Sequence, residues 1–265
     1  MEDLLKLKKI IEKNKVVFLL GGHDLEMMEI LKTLKENGIA FSDKCLGWSN
    51  ACLSAYADEI KQYERDGYRI FGVELRIDMD TPVNYIVIDH HNEYNGRKSS
   101  LEQVADIIGV ELTRRQILVA VNDSRYIPGM LELGATEEEI NEIRLEDRKS
   151  QGATEKDESD AEISIRENMR VYRNITVVKS LTSKFSCVCD RLYKNNSLLV
   201  YTDLEWTYYG VYKNRLIKYF AEDIARGSIY YGGSDSGYIG MGIGVMQADE
   251  IEIIVKEIVK FVENA

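Results

Sequence analysis

Val16-Val17-Phe18-Leu19-Leu20-Gly21-Gly22-His23-Asp24-Leu25-Glu26 is the stretch from which the fold of this chain is read. Its five opening residues are all apolar, and a short continuous run of that kind marks a strand buried on both faces rather than a half-exposed, alternating one. Two glycines end it, and residues 25–37 then carry apolar side chains at helical spacing up to a stop at Gly38. That is a βα unit. Further apolar runs at residues 39–46, 68–75 and 85–88 alternate with helical patterns at 51–65 and 101–108. Strand and helix in alternation predict an α/β fold: a parallel-sheet N-terminal domain with helices on both faces.

Beyond Thr113 a helix is expected through Val121, then a turn at Pro128-Gly129, then a helix opening on the capping-box pattern Thr136-Glu137-Glu138-Glu139. Residues 147–160 contain no aliphatic side chain except Ala153. The expected division is therefore an N-terminal domain over 1–146, a polar linker and linking helix over 147–172, and a smaller α+β C-terminal domain over 173–265. In that last part residues 175–179, 185–192 and 198–203 look like strands, residues 214–225 and 248–262 like helices, and a Gly-rich turn lies between Tyr230 and Tyr238. Residues 2–15 have the spacing of an amphipathic docking helix.

The chain has 265 residues, of which 45 are acidic and 34 basic, a formal charge of -11. Such a field repels the phosphates of a long duplex. No apolar run approaches the roughly 20 residues that cross a bilayer, and no apolar signal segment opens the sequence, so a cytoplasmic protein is expected. Four cysteines are too few for a disulfide scaffold, and Cys187 and Cys189 are expected as reduced core residues.

In an open parallel sheet the ligand crevice lies beyond the carboxyl ends of the strands. Inspecting those ends gathers all three histidines of the chain, His23, His90 and His91. The first strand delivers His23, Asp24 and Glu26; the third delivers Glu74, with Arg76 and Asp78 behind it. The fourth delivers Asp89-His90-His91-Asn92, and the helix after Thr113 delivers Asn122-Asp123-Ser124-Arg125. Taken singly, Asp24 could be a helix cap and Asp89 a turn former. Four loaded ends together point to a divalent cation, because clustered carboxylates and neutral imidazoles need a compensating charge. Nitrogen and oxygen donors without thiolate suit manganese, magnesium, iron or zinc. Two such ions would clamp the oxygens of an in-line displacement at phosphorus.

With Val87-Ile88-Asp89-His90-His91-Asn92 at a strand end, an acidic Asp24-x-Glu26 pair after the first strand, an acidic residue before the tripeptide and Asp123 about one helix after it, the chain resembles the DHH phosphoesterase family, named for that Asp-His-His. The resemblance implies a two-lobed, metal-dependent phosphohydrolase using manganese, or magnesium, as one or two ions. It makes Asp24, Glu26, Glu74, His90 and Asp123 metal ligands, with Glu74 a candidate bridge, and His23 is a further candidate metal ligand. Asp89 would orient the imidazoles, and His91 would touch the scissile phosphate. Arg76 and Arg125 are candidate phosphate partners. Glu26 and Glu74 stand where the family usually has aspartate, and Asp78 or Asp80 is an alternative counterpart of Glu74.

In the C-terminal domain the family's glycine-rich turn corresponds to Gly232-Gly233-Ser234-Asp235-Ser236-Gly237, without the usual histidine. Gly232, Gly233, Ser234 and Ser236 could cradle an anion, or form a simple hairpin. Nearby tyrosines could stack a base or build a core. The sequence supports two readings: an enzyme hydrolysing a short oligonucleotide, a cyclic dinucleotide or a pyrophosphate-like compound in the cleft between domains, or a module that keeps the fold and binds a nucleotide or metal in a regulatory role. The expected partner is a small phosphorylated substrate, not long duplex nucleic acid or a membrane, and a homodimer is left open.

Overall fold

The computed structural model describes residues 15–233 and 237–264 and divides the chain into two compact units, 1–151 and 152–265. The helix expected over residues 2–15 lies almost wholly outside the described residues.

The first unit holds a four-stranded, all-parallel sheet in the order β2-β1-β3-β4, with β1 Val16–Leu20, β2 Ala40–Asp43, β3 Arg69–Val73 and β4 Tyr85–Ile88. Alternation along β1 sends Val17 and Leu19 to one face, where they pack with Ile70, Leu53, Tyr56 and Ile60 beneath a 3-10 turn (Leu53–Tyr56) and α2 (Ala57–Arg65). Phe18 points to the other face and stacks on Phe71, ring centroids 4.8 Å apart. Four mutually packed helices belong to this unit: α1 (Leu25–Glu36), α3 (Ser100–Ile108), α4 (Arg114–Glu132) and α5 (Glu137–Ser150). Because the chain leaves β1 for β2 on one side and later places β3 on the other, the sheet has a switch point between β1 and β3. In open α/β sheets ligands bind beyond the strand ends at such a point.

Two expectations for this half of the chain are corrected. Pro128-Gly129 is not a turn between helices: α4 runs through it with a kink at Tyr126, whose φ of 57° breaks the helical path just ahead of the proline. Nor is 147–172 a linker. Residues up to 151 belong to the first unit, where Asp147 is buried, and α6 (Glu155–Asn168) belongs to the second.

The second unit is a six-stranded mixed sheet in the order β5-β6-β7-β8-β10-β9: β5 Met169–Val171, β6 Thr176–Lys179, β7 Ser197–Tyr201, β8 Trp206–Gly210, β9 Tyr230–Gly232 and β10 Tyr238–Met241. Only β6 and β7 pair in parallel. One face packs Val177, Leu199, Trp206 and Tyr208 against Ile251, Val255 and Ile258 of α10 (Ala248–Glu263). The other packs Val178, Leu198 and Val200 against Ala161 of α6 and Phe185 and Val188 of α7 (Phe185–Arg191). Residues 185–192, expected as a strand, are therefore helical, and the helix expected at 214–225 is split into α8 (Lys213–Tyr219) and α9 (Ala221–Ala225).

Candidate metal centre

Asp24 is the N-cap of α1: its carboxylate accepts the Met27 amide at 2.9 Å, which brings Glu26 into the first helical turn with its side chain pointing inward. Glu26 Oε1 accepts the Leu101 amide at 3.1 Å. That amide lies in the first turn of α3, where the helix dipole favours negative charge. One oxygen is thereby fixed and Oε2 is left for another partner.

Glu74 follows β3 with φ of 52°, a left-handed conformation that costs a non-glycine residue on the order of 1 kcal/mol. Its amide donates to Ile88 O at 2.8 Å, extending the β3–β4 ladder by one rung. Gly21 makes room for it, since a Cβ there would stand 2.4 Å from Glu74 O. Asp78, the alternative counterpart, is engaged elsewhere: it accepts the Ser54 amide and hydroxyl at 2.9 and 2.6 Å.

At the end of β4, Asp89 Oδ1 accepts the His91 amide at 2.8 Å and lies 3.0 Å from His91 Nδ1. This Asx-type turn redirects the chain, so that the two imidazoles, which strand alternation alone would send apart, lie 4.2 Å from centroid to centroid.

These local structures converge. His90 Nε2 stands 2.7 Å from Asp123 Oδ2, 3.5 Å from Glu26 Oε2 and 3.6 Å from Glu74 Oε1. All four atoms are buried, and beyond these contacts with one another none has a hydrogen-bond partner. Glu26, Glu74, His90 and Asp123 offer donor atoms within 4.8 Å of one another, and Glu74, His90 and His91 form a second such group that shares two members with the first. Burial pushes the Asp24 carboxyl up to about 8, helped by the Asp123 and Glu74 carboxylates. Burial likewise raises Glu26, against the pull of His90. His90 shows the reverse: burial alone would lower its pKa, but the surrounding carboxylates of Asp123, Glu26 and Glu74 raise it. The imidazole is being asked to supply a cation. Unpartnered carboxylate oxygens and an imidazole nitrogen facing one point are a donor set that fits a hard or borderline divalent ion.

Other expected residues stand apart. His23 is exposed and belongs to neither donor group; at the turn after Gly22 its side chain takes the solvent side while Asp24 caps the helix. Asp24 is buried beside the cluster but spends one oxygen on the cap. Arg76 and Arg125 are exposed, and Arg125 pairs with Glu132 at 3.0 Å. In the second unit Gly232 ends β9 and Gly233 follows it, and their carbonyls accept from the buried Lys213 ammonium at 3.4 and 3.0 Å. Ser234 and Ser236 lie outside the described residues.

Sequence reasoning missed one part of the surroundings. Arg144 donates to Asn122 Oδ1 at 2.9 Å and Asp147 Oδ2 at 2.6 Å, and the Leu25 amide donates to Asp147 Oδ1 at 3.4 Å, all buried. This network ties α4 and α5 to the first turn of α1, which carries Glu26. Its only sequence signal is a charged residue, Asp147, in helical register with the apolar Ile140 and Ile143.

No family model and no curated protein matches the sequence. Among solved structures, the DHH domain of a member of the s1p family of ribosomal proteins aligns over 98% of this chain and 90% of its own, with TM-score 0.56 and 11% identity. The chain carries the DHH fold. A Vibrio pGpG-specific phosphodiesterase, PggH, aligns over 95% of this chain and 99% of its own at 13% identity and TM-score 0.49. Exonuclease RecJ bound to manganese aligns over 95% and 92% at 9% identity and TM-score 0.48. Within the DHH fold of this chain the Asp-His-His turn, the exit of β1 and the exit of β3 meet at one buried point. Among the described residues, no helix is long and apolar enough to cross a membrane.

Proposed function

We propose that the first unit is a metal-dependent phosphoesterase acting on a small phosphorylated substrate, such as a short oligonucleotide, a cyclic dinucleotide or a pyrophosphate-like compound. The observation that carries this reading is the convergence of Glu26 Oε2, Glu74 Oε1, His90 Nε2 and Asp123 Oδ2, buried and without hydrogen-bond partners outside the group. Manganese or magnesium fits these donors, and the two overlapping groups leave room for one ion or two, with Glu74 and His90 common to both.

A bound cation supplies Lewis-acid polarisation of phosphoryl oxygens and compensates the carboxylates. The residues of the chain do the rest. Glu26 is held by the Leu101 amide with one oxygen turned to the cluster, and the Arg144–Asp147 network keeps α1 in place. Asp89 fixes His91 through Nδ1, so that Nε2, 3.9 Å from Asp123 Oδ2, is the nitrogen that would donate to a phosphoryl oxygen; the His91 side chain is 42% exposed, against 6% for His90. A buried imidazole for the metal and an accessible one for the substrate is the division of labour this geometry supports.

His90→Ala and Asp123→Ala should each abolish manganese-dependent hydrolysis across a panel of phosphodiester, phosphomonoester and pyrophosphate substrates while circular dichroism stays that of the folded protein. Hydrolysis that survives both substitutions would overturn the reading.

A further inference from the structure

One large aromatic side chain beside the metal centre is unused by the proposed phosphoesterase chemistry. Trp48 is 48% exposed, whereas Trp206, the other tryptophan of the chain, is fully buried. Its ring meets that of His91 edge-on at 6.2 Å between centroids and 66° between planes. The Cζ2, Cη2 and Cζ3 end of the indole presses on Gly22, where a Cβ would come within 2.5 Å of the ring. The glycine at the exit of β1 therefore serves the indole as its neighbour Gly21 serves Glu74.

The segment that carries Trp48 is pinned at both ends. The Lys44 amide donates to the Tyr56 hydroxyl at 3.1 Å, and the Cys45 amide to Asp43 Oδ1 at 2.7 Å. Beyond the tryptophan, the Asn50 amide donates to Gly47 O at 2.8 Å, and the Arg76 amide to Ala51 O at 3.0 Å. A half-exposed indole held in a fixed place leaves in water apolar surface that burial would remove. Such surface, next to a polar reacting centre, is what a flat apolar ligand group would cover.

We infer that Trp48 is a stacking platform for a nucleobase, and that the substrate of the proposed phosphoesterase bears a purine or pyrimidine on the residue whose phosphate lies at His91. The inference rests on the phosphoesterase reading for the position of the phosphate but not for the stacking itself, which is read without turnover. An aromatic ring accepts any base, so the platform selects base-bearing over base-free phosphates and leaves base identity open.

The test uses the whole protein in magnesium, a diamagnetic ion that leaves indole emission intact. Tryptophan emission is titrated with adenosine 5′-monophosphate and, in parallel, with ribose 5-phosphate. The nucleotide should quench saturably and ribose phosphate should not, and the quench should vanish in Trp48→Phe, where only buried Trp206 emits. By calorimetry, Trp48→Ala should weaken the nucleotide roughly tenfold and draw the ratio of the two affinities toward one. Gly22→Ala, which keeps the indole but drives it from its seat, should lower the same ratio. The inference fails if the nucleotide gives no saturable quench, or if Trp48→Ala weakens both ligands alike. Quenching without any hydrolysis would instead remove the enzymatic reading and leave the platform standing.

Discussion

Glu74 shows how single residues position this centre. It adopts a left-handed backbone conformation, with its amide bonded to Ile88 O and its carbonyl against Gly21. Gly21→Ala would place a methyl 2.4 Å from Glu74 O and 2.5 Å from Val73 O, both main-chain atoms that yield only if β1 and β3 part. The expected result is a loss of about 1–3 kcal/mol in stability together with weaker manganese binding, measured by denaturant titration and calorimetry; unchanged metal affinity would mean that Glu74 is not a ligand. In the proposed division of labour Asp89 acts through its neighbour, His91. Asp89→Asn keeps an acceptor for the His91 amide but removes the charge beside Nδ1, which now raises the His91 pKa. Turnover should fall about 10- to 100-fold with metal affinity nearly intact, as for residues that orient a catalytic imidazole. Equal loss in both measurements would place Asp89 on the metal itself. That these residues gather at strand ends was legible in the sequence, because continuous apolar runs mark strands and the residues just past each run face the crevice. Which of them point inward was not. His23 and Asp24 are adjacent, and only the turn geometry after Gly22 sends one to solvent and the other under α1.

At the scale of elements, the N-terminus of α6 carries an acid-sensitive clasp. Asp157 accepts the Thr154 amide and hydroxyl at 2.8 and 2.5 Å, and its other oxygen accepts the Thr182 hydroxyl at 2.5 Å from the loop before α7. The Thr154 and Thr182 hydroxyls, with the Thr154 amide, lower its carboxyl to about 2. A depressed pKa in the folded state gives stability that is present above the ordinary aspartate range and is lost as pH falls through about 2. The difference in stability between the natural protein and Asp157→Asn, about 1 kcal/mol or less at this solvent-accessible site, should therefore be full at pH 5 and close between pH 4 and pH 2. A gap that persists at pH 2 would exclude ionisation as its source. The same region shows where element reading failed. Residues 147–160 look like a linker because α5 ends on charged side chains, Arg144, Asp147 and Arg148, that are buried in a polar network rather than in apolar contacts. Hydrophobic periodicity cannot register such a face. Residues 185–192 satisfy both periods: alternation suggests a strand, but Phe185 and Val188, three apart, pack together on the sheet as a helix. Pro128 reads as a stop, and α4 absorbs it by kinking two residues earlier.

For the whole molecule, the formal charge of -11 counts as repulsion only until a cation is included. Glu26 and Glu74 are buried around His90, with Asp123 partly so and Asp24 buried beside them, and burial together with the neighbouring carboxylates raises the Asp24 and Glu26 carboxyls, which a cation would reverse. An ion that binds the folded state and not the unfolded chain stabilises it in proportion to the logarithm of its concentration, about 2.7 kcal/mol at a hundredfold excess over its dissociation constant. For a unit of 151 residues that corresponds to a rise in Tm of roughly 5–10 °C. Chelated protein titrated with manganese, or with magnesium at higher concentration, should show this rise by calorimetry, and Asp123→Ala should lose it. Asp157→Asn, in the second unit, should lower the Tm without changing the increment, because its clasp shares no residue with the cluster. An increment retained in Asp123→Ala would move the binding site away from the converging donors. The two variants together thus separate a cation held by the β1, β3 and β4 exits from a general response of an acidic protein to divalent ions. That distinction matters because, under the proposed function, only an ion at those exits lies where His91 and Trp48 would meet the substrate.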